Sequence, residues 1–171
     1  SNFISKDEIV KSFMQLTDNF KFVDTTQNYS PQELWIKAKE SGCNSVAIDS
    51  WNYLNHPEDP TRPNYLRQVL SERNKFMQAN KMHSFIVIHP KNPDPLKVKD
   101  GTVNKPTVYD LMGGSEWNNN GRNIIVVHKD NKQNFSPYQI YCDKVKPKNC
   151  GQIDYIDLFI NWDTQQFFKN T

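Results

Sequence analysis

The sequence predicts an α/β domain in which a mostly parallel sheet is flanked by helices on both faces and an antiparallel hairpin lies at the carboxyl-terminal side. Over residues 6–128, apolar runs typical of buried strands alternate with segments whose apolar residues recur at helical spacing. The last two apolar runs, 138–145 and 153–160, have no helical pattern between them, which indicates a hairpin. At 171 residues, the chain has the length of one domain.

The first elements are a helix over 6–16 and a short strand over 20–23. The next helix has a strong start signal. Ser30 can cap it, Pro31 occupies the first helical position, and Glu33 stands three residues after the cap. These residues predict where the second helix begins.

Gly42 predicts the end of this second helix, because glycine readily adopts the left-handed conformation that ends many helices. A buried strand over 45–49 follows. Residues 64–80 then carry apolar residues at helical spacing, so this helix should lie against the sheet. Residues 84–89 have the composition of the next buried strand.

The region before the hairpin contains two irregular segments and one strand. Residues 90–106 are rich in Pro, Lys, Asn and Asp and predict a mobile loop. Residues 111–122 are rich in Gly, Ser and Asn, and a strand is expected over 123–128. Neither an internal repeat nor a low-complexity tract is visible in the sequence.

Composition excludes several classes of protein. The mean hydropathy of −0.79 and the lack of an apolar run near the roughly 18–20 residues of a membrane helix predict no membrane span. A net charge of +2 is too small to indicate nucleic-acid binding by itself. Three cysteines without a CxxC pair favour reduced thiols and a cytoplasmic protein. The Ser-Asn start without methionine is typical of a cloning scar, so we expect the numbering to begin inside a longer protein.

Three expected strands end in polar residues: Asp49, His89, and His128 with Lys129. If these strands are neighbours, their carboxyl ends meet in one crevice, where ligands bind in open α/β sheets. Asp49 could hold the water shell of Mg²⁺, which prefers oxygen ligands. His89 could donate a hydrogen bond to a terminal phosphate. The alternatives are an aspartate that caps a helix or forms a turn, and a histidine that only ends a strand.

The stretch 111–122 has the most unusual composition in the chain. Gly113 and Gly114 would let backbone amides approach phosphates, Ser115 adds a donor, and Trp117 could stack a base. If this stretch binds single-stranded DNA, changing Gly114 to a bulky residue should weaken binding without unfolding the domain. The alternative is an ordinary surface loop with Trp117 in the core.

Lys144 and Lys146 lie on one face of an expected strand, because side chains alternate along a strand. Two ammonium groups on one face could bind an anion. The alternative is a solvated strand edge, where lysine protects against aggregation.

Taken in order, five segments resemble the hexameric RecA-fold helicases of the DnaB type, and most of all the branch that contains phage primase–helicases and Twinkle-like helicases. The segments are SVAIDSWN (45–52), FIVIHPKNP (85–93), YDLMGGSEWN (109–118), IIVVHK (124–129), and KVK (144–146) with Gly151 beyond. The resemblance runs from about residue 20 to residue 167. It implies a RecA-like, three-layer fold.

This resemblance implies roles for individual residues. Asp49 takes the Walker B position that organises Mg²⁺ in an ATP site, and His89 the position of a sensor for the γ-phosphate. The turn from Gly113 through Gly114 to Ser115 resembles the central-channel loop that holds single-stranded DNA. A ring-shaped hexamer is the implied assembly.

The lysines stand where the family offers basic residues to the nucleotide of a neighbouring subunit, a role that stabilises charge in the transition state. The three are Lys129, Lys144 and Lys146. At two of these positions, 129 and 146, the family has arginine. Lysine is a point charge and lacks the bidentate fork of arginine.

The sequence contains no GxxxxGK[ST] phosphate-binding loop, and the family's catalytic glutamate lies on a strand before these residues. We therefore expect residues 1–171 to be a single partial domain of a longer helicase. The alternative is a non-catalytic RecA-like module that binds DNA or a partner. A serine hydrolase is disfavoured, because Ser115 does not lie in a GxSxG motif.

Overall fold

The computed structural model describes residues 5–90, 104–129 and 137–169. Within these ranges the chain forms four α-helices and six strands. In chain order they are α1 (Lys6–Asn19), α2 (Pro31–Glu40), β1 (Ser45–Asp49), α3 (Pro63–Asn80), β2 (His83–Val87), α4 (Gly114–Asn120), β3 (Ile124–Lys129), β4 (Tyr138–Lys144), β5 (Asp154–Asn161) and β6 (Gln166–Phe168).

The strands form two sheets. β1 and β2 pair in parallel, whereas the other four strands form an antiparallel sheet in the order β3-β4-β5-β6. The β4–β5 hairpin predicted from the sequence is confirmed. The expectation of a mostly parallel sheet is met only by β1 and β2. In the described residues β3 pairs with the first strand of the hairpin, so it belongs to the antiparallel sheet.

The core lies between α2, α3 and one face of the β1–β2 sheet. Val46 and Ile48 point toward the helices, and α3 contributes Leu66, Val69 and Leu70. Leu66 and Leu70 have no exposed surface, and burial of such a side chain stabilises a fold by about 1.5–3 kcal/mol. The apolar stripe of α3 therefore lies in the core, as its helical spacing predicts.

Each of the two sheets has a face that carries exposed apolar side chains. Phe85 and Val87 of β2 are 63% and 41% exposed, and Ile125 and Val127 of β3 are 65% and 61% exposed. Helices were expected on both faces, but α2 and α3 cover only one face of β1–β2. α1 has no buried residue, although its apolar side chains recur at helical spacing. Exposed apolar surface of this extent marks an interaction surface.

The start of α2 follows the sequence signal closely. Ser30 accepts a hydrogen bond from the Glu33 backbone N–H, and the Glu33 carboxylate accepts one from the Ser30 N–H. Gly42 adopts the left-handed conformation just beyond the helix, with φ of 73°. Both ends of this predicted helix are confirmed.

Three expectations differ from the structure. α1 extends three residues beyond its predicted end, to Asn19. Residues 20–23, expected as a strand, do not form one. They pair with no described strand, and Phe22 is 86% exposed. Residues 114–120, expected as a loop, form α4.

The expected mobile loop over 90–106 lies mostly outside the described residues, as do residues 1–2. Among the helices that the structure describes, none combines the length and the apolar character needed to cross a membrane. All three cysteines lie in described segments, and all are free thiols.

Candidate functional site

Asp49 and His89 lie at the same edge of the parallel sheet. Asp49 is the last residue of β1 and is in register with Val87, the last residue of β2. His89 follows two residues later along the chain. Both side chains are exposed. The structure thus places the two candidate catalytic residues at neighbouring carboxyl ends of parallel strands, the edge where α/β sheets bind ligands.

His128 and Lys129 do not join this pair through strand pairing. They end β3, which belongs to the antiparallel sheet, and no backbone pairing joins that sheet to β1 and β2 in the described residues. The expected crevice between three neighbouring parallel strands is therefore not formed by these segments. The predicted crevice required all buried strands before the hairpin to share one sheet, and β3 belongs to the other sheet.

The segment after Asp49 is anchored to the core. Trp51 is 1% exposed. The His56 ring bridges two groups, with Nε2 2.9 Å from the Trp51 carbonyl oxygen and Nδ1 2.7 Å from the Tyr65 hydroxyl. These contacts hold the chain that leaves the Asp49 edge. Sequence reasoning assigned no role to His56, because only the folded chain brings it to Trp51.

The chemistry at the Asp49 edge fits a weakly coordinated hard cation. No group of three or more His, Cys, Asp or Glu side chains that could enclose a metal occurs in the described part of the chain. Mg²⁺ is commonly held by only one or two carboxylates, and it keeps water and phosphate oxygens as its other ligands. Next to Asp49, the buried Ser50 hydroxyl has no hydrogen-bond partner among the described residues. A single exposed carboxylate therefore fits Mg²⁺ through water.

Gly113 and Gly114 are required by packing. Gly113 has φ of 73°, and a Cβ atom there would lie 2.2 Å from Leu66 Cδ1. A Cβ atom at Gly114 would lie 2.5 Å from the Val108 carbonyl oxygen and 2.7 Å from Tyr109 Cα. The expectation that a bulky residue would be accepted at Gly114 is wrong, because this glycine is buried against backbone atoms.

Trp117 is part of the core. Trp117 is 7% exposed, and its indole N–H donates a hydrogen bond to the Met112 carbonyl oxygen at 3.0 Å. A base cannot stack on a ring in this position, so the expected stacking role is corrected. The indole instead holds the turn that precedes α4. Ser115, in contrast, is exposed and accessible to a ligand.

One aromatic contact joins the two candidate regions. The Trp51 and Trp117 rings meet edge to face, with centroids 5.3 Å apart and planes at 88°. Trp51 follows Asp49 by two residues, and Trp117 lies in the first turns of α4. The Asp49 edge and the Gly113–Ser115 turn are thereby linked through the core.

The structure also shows an ion pair that sequence reasoning missed. Arg67 donates to Glu116 through Nε, at 3.3 Å from each carboxylate oxygen, and through Nη2, at 2.8 Å from Oε1. The Glu116 side chain is 6% exposed and that of Arg67 65%. Hydrogen bonds to Glu116 raise the pKa of Arg67 above its ordinary value. This pair joins α3 to α4.

The three candidate lysines are not one cluster. Lys129 pairs with Tyr138 at one end of the β3–β4 ladder, and its Nζ lies 4.7 Å from the Tyr138 ring centroid. Lys144 lies at the other end, opposite Ile124. Five residue steps separate the ends, about 17 Å at about 3.3 Å per residue. The antiparallel pairing therefore separates Lys129 from Lys144.

Lys144 and Lys146 are close to each other. Burial lowers the pKa of Lys144 below its ordinary value, and the charge of Lys146 lowers it further. Lys144 Nζ donates to the backbone carbonyl of Asn118 in α4. Lys146 is exposed, and its backbone N–H donates to Asn123 Oδ1 at 3.3 Å. Lys146 lies beyond the end of β4, where the alternation expected along a strand no longer sets the side of its side chain, and Lys144 already has the Asn118 carbonyl as a partner.

Comparison with curated proteins finds a similarity to the Twinkle homolog protein, chloroplastic/mitochondrial, of Arabidopsis thaliana. The two sequences are 31% identical over 159 residues, which cover 86% of this chain and 21% of the relative. The chain therefore spans about a fifth of the length of that relative. No family model matches the chain.

Proposed function

We propose that residues 1–171 form part of the RecA-like ATPase domain of a replicative DNA helicase, which couples ATP hydrolysis to movement along single-stranded DNA. The observation that carries the proposal is the position of Asp49 and His89 at neighbouring carboxyl ends of two paired parallel strands. The similarity to a Twinkle homolog over most of this chain supports it. The longer protein, which can include a primase domain, would assemble as a hexameric ring.

In this proposal Asp49 would hold Mg²⁺ through the water of the ion, and the ion, when bound, would supply positive charge for the ATP phosphates. The Asp49 carboxylate is exposed and fixed at the end of a strand. His89 donates a hydrogen bond to the terminal phosphate and opens the segment that leads toward Gly113. A contact made only in the triphosphate state would let His89 distinguish ATP from the hydrolysed nucleotide.

The turn from Gly113 through Gly114 to Ser115 is the proposed contact with single-stranded DNA. Packing of both glycines holds the turn, and the exposed Ser115 is the side chain that can donate to a phosphate. Trp117 supports the turn from the core. The Trp51–Trp117 contact gives this turn a physical connection to the Asp49 edge.

The remaining parts of the ATP site and the sheet are assigned to segments outside these residues. The exposed apolar faces at Phe85 and Ile125 are then surfaces that the rest of the domain covers. Of the three candidate lysines, the exposed Lys146 is the best placed to face the nucleotide of a neighbouring subunit, since Lys144 donates to the Asn118 carbonyl and Lys129 lies at the other end of the β3–β4 ladder.

The 171-residue chain alone is expected not to hydrolyse ATP. It contains no phosphate-binding loop, whose backbone amides supply most of the contacts with the phosphates. Phosphate release from Mg²⁺–ATP should be measured for this chain and for a longer polypeptide that contains it. Hydrolysis by the longer polypeptide alone is the expected result. Sustained Mg²⁺-dependent turnover by the short chain would contradict the proposed boundaries.

Weak, salt-sensitive binding of single-stranded DNA by this chain is also expected, because a monomer presents only one short turn to the DNA. Ser115→Glu should weaken binding several-fold, since a carboxylate repels the phosphate backbone. Fluorescence anisotropy of a labelled oligothymidylate at about 50 and 200 mM salt measures the affinity and its salt dependence. Thr164→Glu makes the same charge change at an exposed position of the β5–β6 turn. Equal losses in both variants would show that the turn is not the contact.

The second candidate is a non-catalytic RecA-like module that binds DNA or a partner. It would be favoured if the longer polypeptide bound single-stranded DNA but released no phosphate from ATP.

A further inference from the structure

Lys105 lies in the segment that leads into the Gly113–Ser115 turn, and its side chain contacts β4 of the antiparallel sheet. Its Nζ donates to Asp143 Oδ1 at 2.7 Å. The same ammonium group lies 4.2 Å from the centroid of the Tyr141 ring, within the range of a cation–π contact. The side chains of Lys105 and Asp143 are 30% and 26% exposed, and salt screens a partly buried ion pair much less than an exposed one. The pair therefore connects this segment firmly to the sheet.

The ring that contacts Lys105 is itself held by the next strand. Tyr141 is in register with Tyr155 of β5, and the two rings stack with centroids 5.1 Å apart and planes at 24°. The Tyr141 hydroxyl donates to Gln139 Oε1 at 3.0 Å. Tyr141 and Asp143 are two residues apart on β4, so their side chains lie on the same face of the strand. The sheet thus presents a carboxylate and a ring face to one cationic side chain.

The backbone between Lys105 and the turn is held by local hydrogen bonds. The Asp110 carboxylate accepts from the Thr107 N–H at 2.6 Å and from the Thr107 hydroxyl at 2.8 Å. These bonds enclose one turn of 3₁₀ helix, Val108–Asp110. Gly114 packs against the backbone of that helix so closely that a Cβ atom would clash with it. A change in the position of Lys105 is therefore passed to the backbone that contacts Gly114.

We propose that Lys105 is a positioning residue for the binding of single-stranded DNA. Its contacts with Asp143 and Tyr141 fix the segment before the Gly113–Ser115 turn against the antiparallel sheet, and so set the place at which the turn meets DNA. Lys105 itself need not touch DNA, because its ammonium group is bound to Asp143. The DNA role of the turn rests on the proposed function. The fixing of the turn by Lys105 rests on contacts within this chain.

Charge and position predict opposite results for a substitution at Asp143. Asp143→Asn makes the net charge of the chain more positive by one, and a more positive chain attracts the phosphates of DNA more strongly. The same substitution removes the charge that holds Lys105, so a turn positioned by the ion pair should bind DNA less tightly. Weaker binding by Asp143→Asn therefore separates positioning from a general effect of charge.

The first measurement is amide hydrogen exchange of the 171-residue chain, followed by NMR. The Gly114 N–H donates to the Leu111 carbonyl at 3.1 Å, so its exchange rate reports on the turn. Lys105→Met keeps a long side chain without the charge, and Asp143→Asn keeps the shape of the carboxylate. Each should speed exchange at Gly114 several-fold, and the double variant should be no faster than either alone. Lys105→Arg keeps the charge and should stay near the wild-type rate.

Two controls make the exchange result specific. Lys37→Met removes a lysine whose Nζ lies 5.0 Å from the centroid of the Tyr29 ring, and it changes the net charge as Lys105→Met does. It should leave exchange at Gly114 unchanged. The amide of Leu70, which lies in the core, reports whether the fold is intact. If Lys105→Met also speeds exchange at Leu70, the comparison is made with Asp143→Asn.

The second measurement is fluorescence anisotropy of a labelled oligothymidylate, which gives the affinity for single-stranded DNA. Lys105→Met and Asp143→Asn should each weaken binding several-fold, and Lys105→Arg should bind as the wild type does. Unchanged Gly114 exchange in Asp143→Asn would overturn the proposal. Faster Gly114 exchange with unchanged or tighter DNA binding would instead contradict the proposed function, since the turn would then be fixed by Lys105 without being the DNA contact.

Discussion

Gly114→Ala is expected to destabilise the folded chain by about 3 kcal/mol, since added atoms that meet fixed backbone typically cost about 1–3 kcal/mol and occasionally more. The new Cβ atom would lie 2.5 Å from the Val108 carbonyl oxygen and 2.7 Å from Tyr109 Cα. Neither is the end of a flexible side chain, so relief requires movement of α4 or of the preceding turn. Urea unfolding followed by circular dichroism measures the change in the free energy of unfolding.

Two variants separate this clash from other effects of the substitution. Ser115→Ala changes the exposed neighbour and should stay within about 0.5 kcal/mol of the wild type. Gly42→Ala is a glycine substitution without a clash, because nothing lies within 4 Å of a Cβ atom there, and its cost is the strain of a left-handed residue, about 1–2 kcal/mol, which Gly114 does not have. If Gly114→Ala were as stable as Ser115→Ala, the packing of α4 described above would be wrong.

Asp49→Asn, made in a longer polypeptide that hydrolyses ATP, is expected to abolish hydrolysis with or without DNA, a loss of at least about 100-fold. The substitution removes the charge that holds the Mg²⁺ shell and leaves a side chain of nearly the same shape. His89→Ala should lower hydrolysis less, but it should remove most of the stimulation by single-stranded DNA. The quantity to compare is the ratio of DNA-stimulated to basal ATPase activity.

Both variants should fold normally, because the two side chains are exposed and the core lies on the other face of the β1–β2 sheet. Melting temperatures test this directly. Asp154→Asn, at the exposed aspartate that begins β5, gives a matched amide substitution away from the carboxyl ends of β1 and β2. A His89→Ala enzyme with the wild-type ratio would return His89 to the role of a polar residue that ends a strand. An active Asp49→Asn enzyme would remove the basis of the nucleotide site.

Elements with local signals were predictable from the sequence. The start of α2 is determined by Pro31 and by the reciprocal hydrogen bonds of Ser30 and Glu33, and the apolar stripe along α3 by spacing alone. The strand over 20–23 and the sheet that contains β3 depend on which strand each segment pairs with, and a local pattern does not reveal that partner. For that reason the predicted parallel sheet has more strands than the parallel sheet that the described residues form.

The candidate site was predictable in part for the same reason. Asp49 and His89 end strands that pair directly, so their proximity follows from the two strands alone. Residues 114–120 have Gly and Asn, which favour a loop, but burial of Trp117 and the ion pair of Glu116 with Arg67 offset this weak propensity. One residue of α3 indicates in the sequence that its helix has a polar partner. Arg73 stands on the apolar stripe of α3, and a charged residue at such a position requires a partner, here the Asn120 carbonyl.

The Arg67–Glu116 pair restricts the order in which descendants of this gene can change. Loss of Arg67 first would leave a carboxylate that is 6% exposed without its partner, and a buried, unpaired charge is strongly destabilising. Loss of Glu116 first would leave a guanidinium that is 65% exposed, which water can solvate. Substitutions at the two positions, which are 49 residues apart, should therefore occur together in related sequences. In intermediate sequences the glutamate should be lost before the arginine.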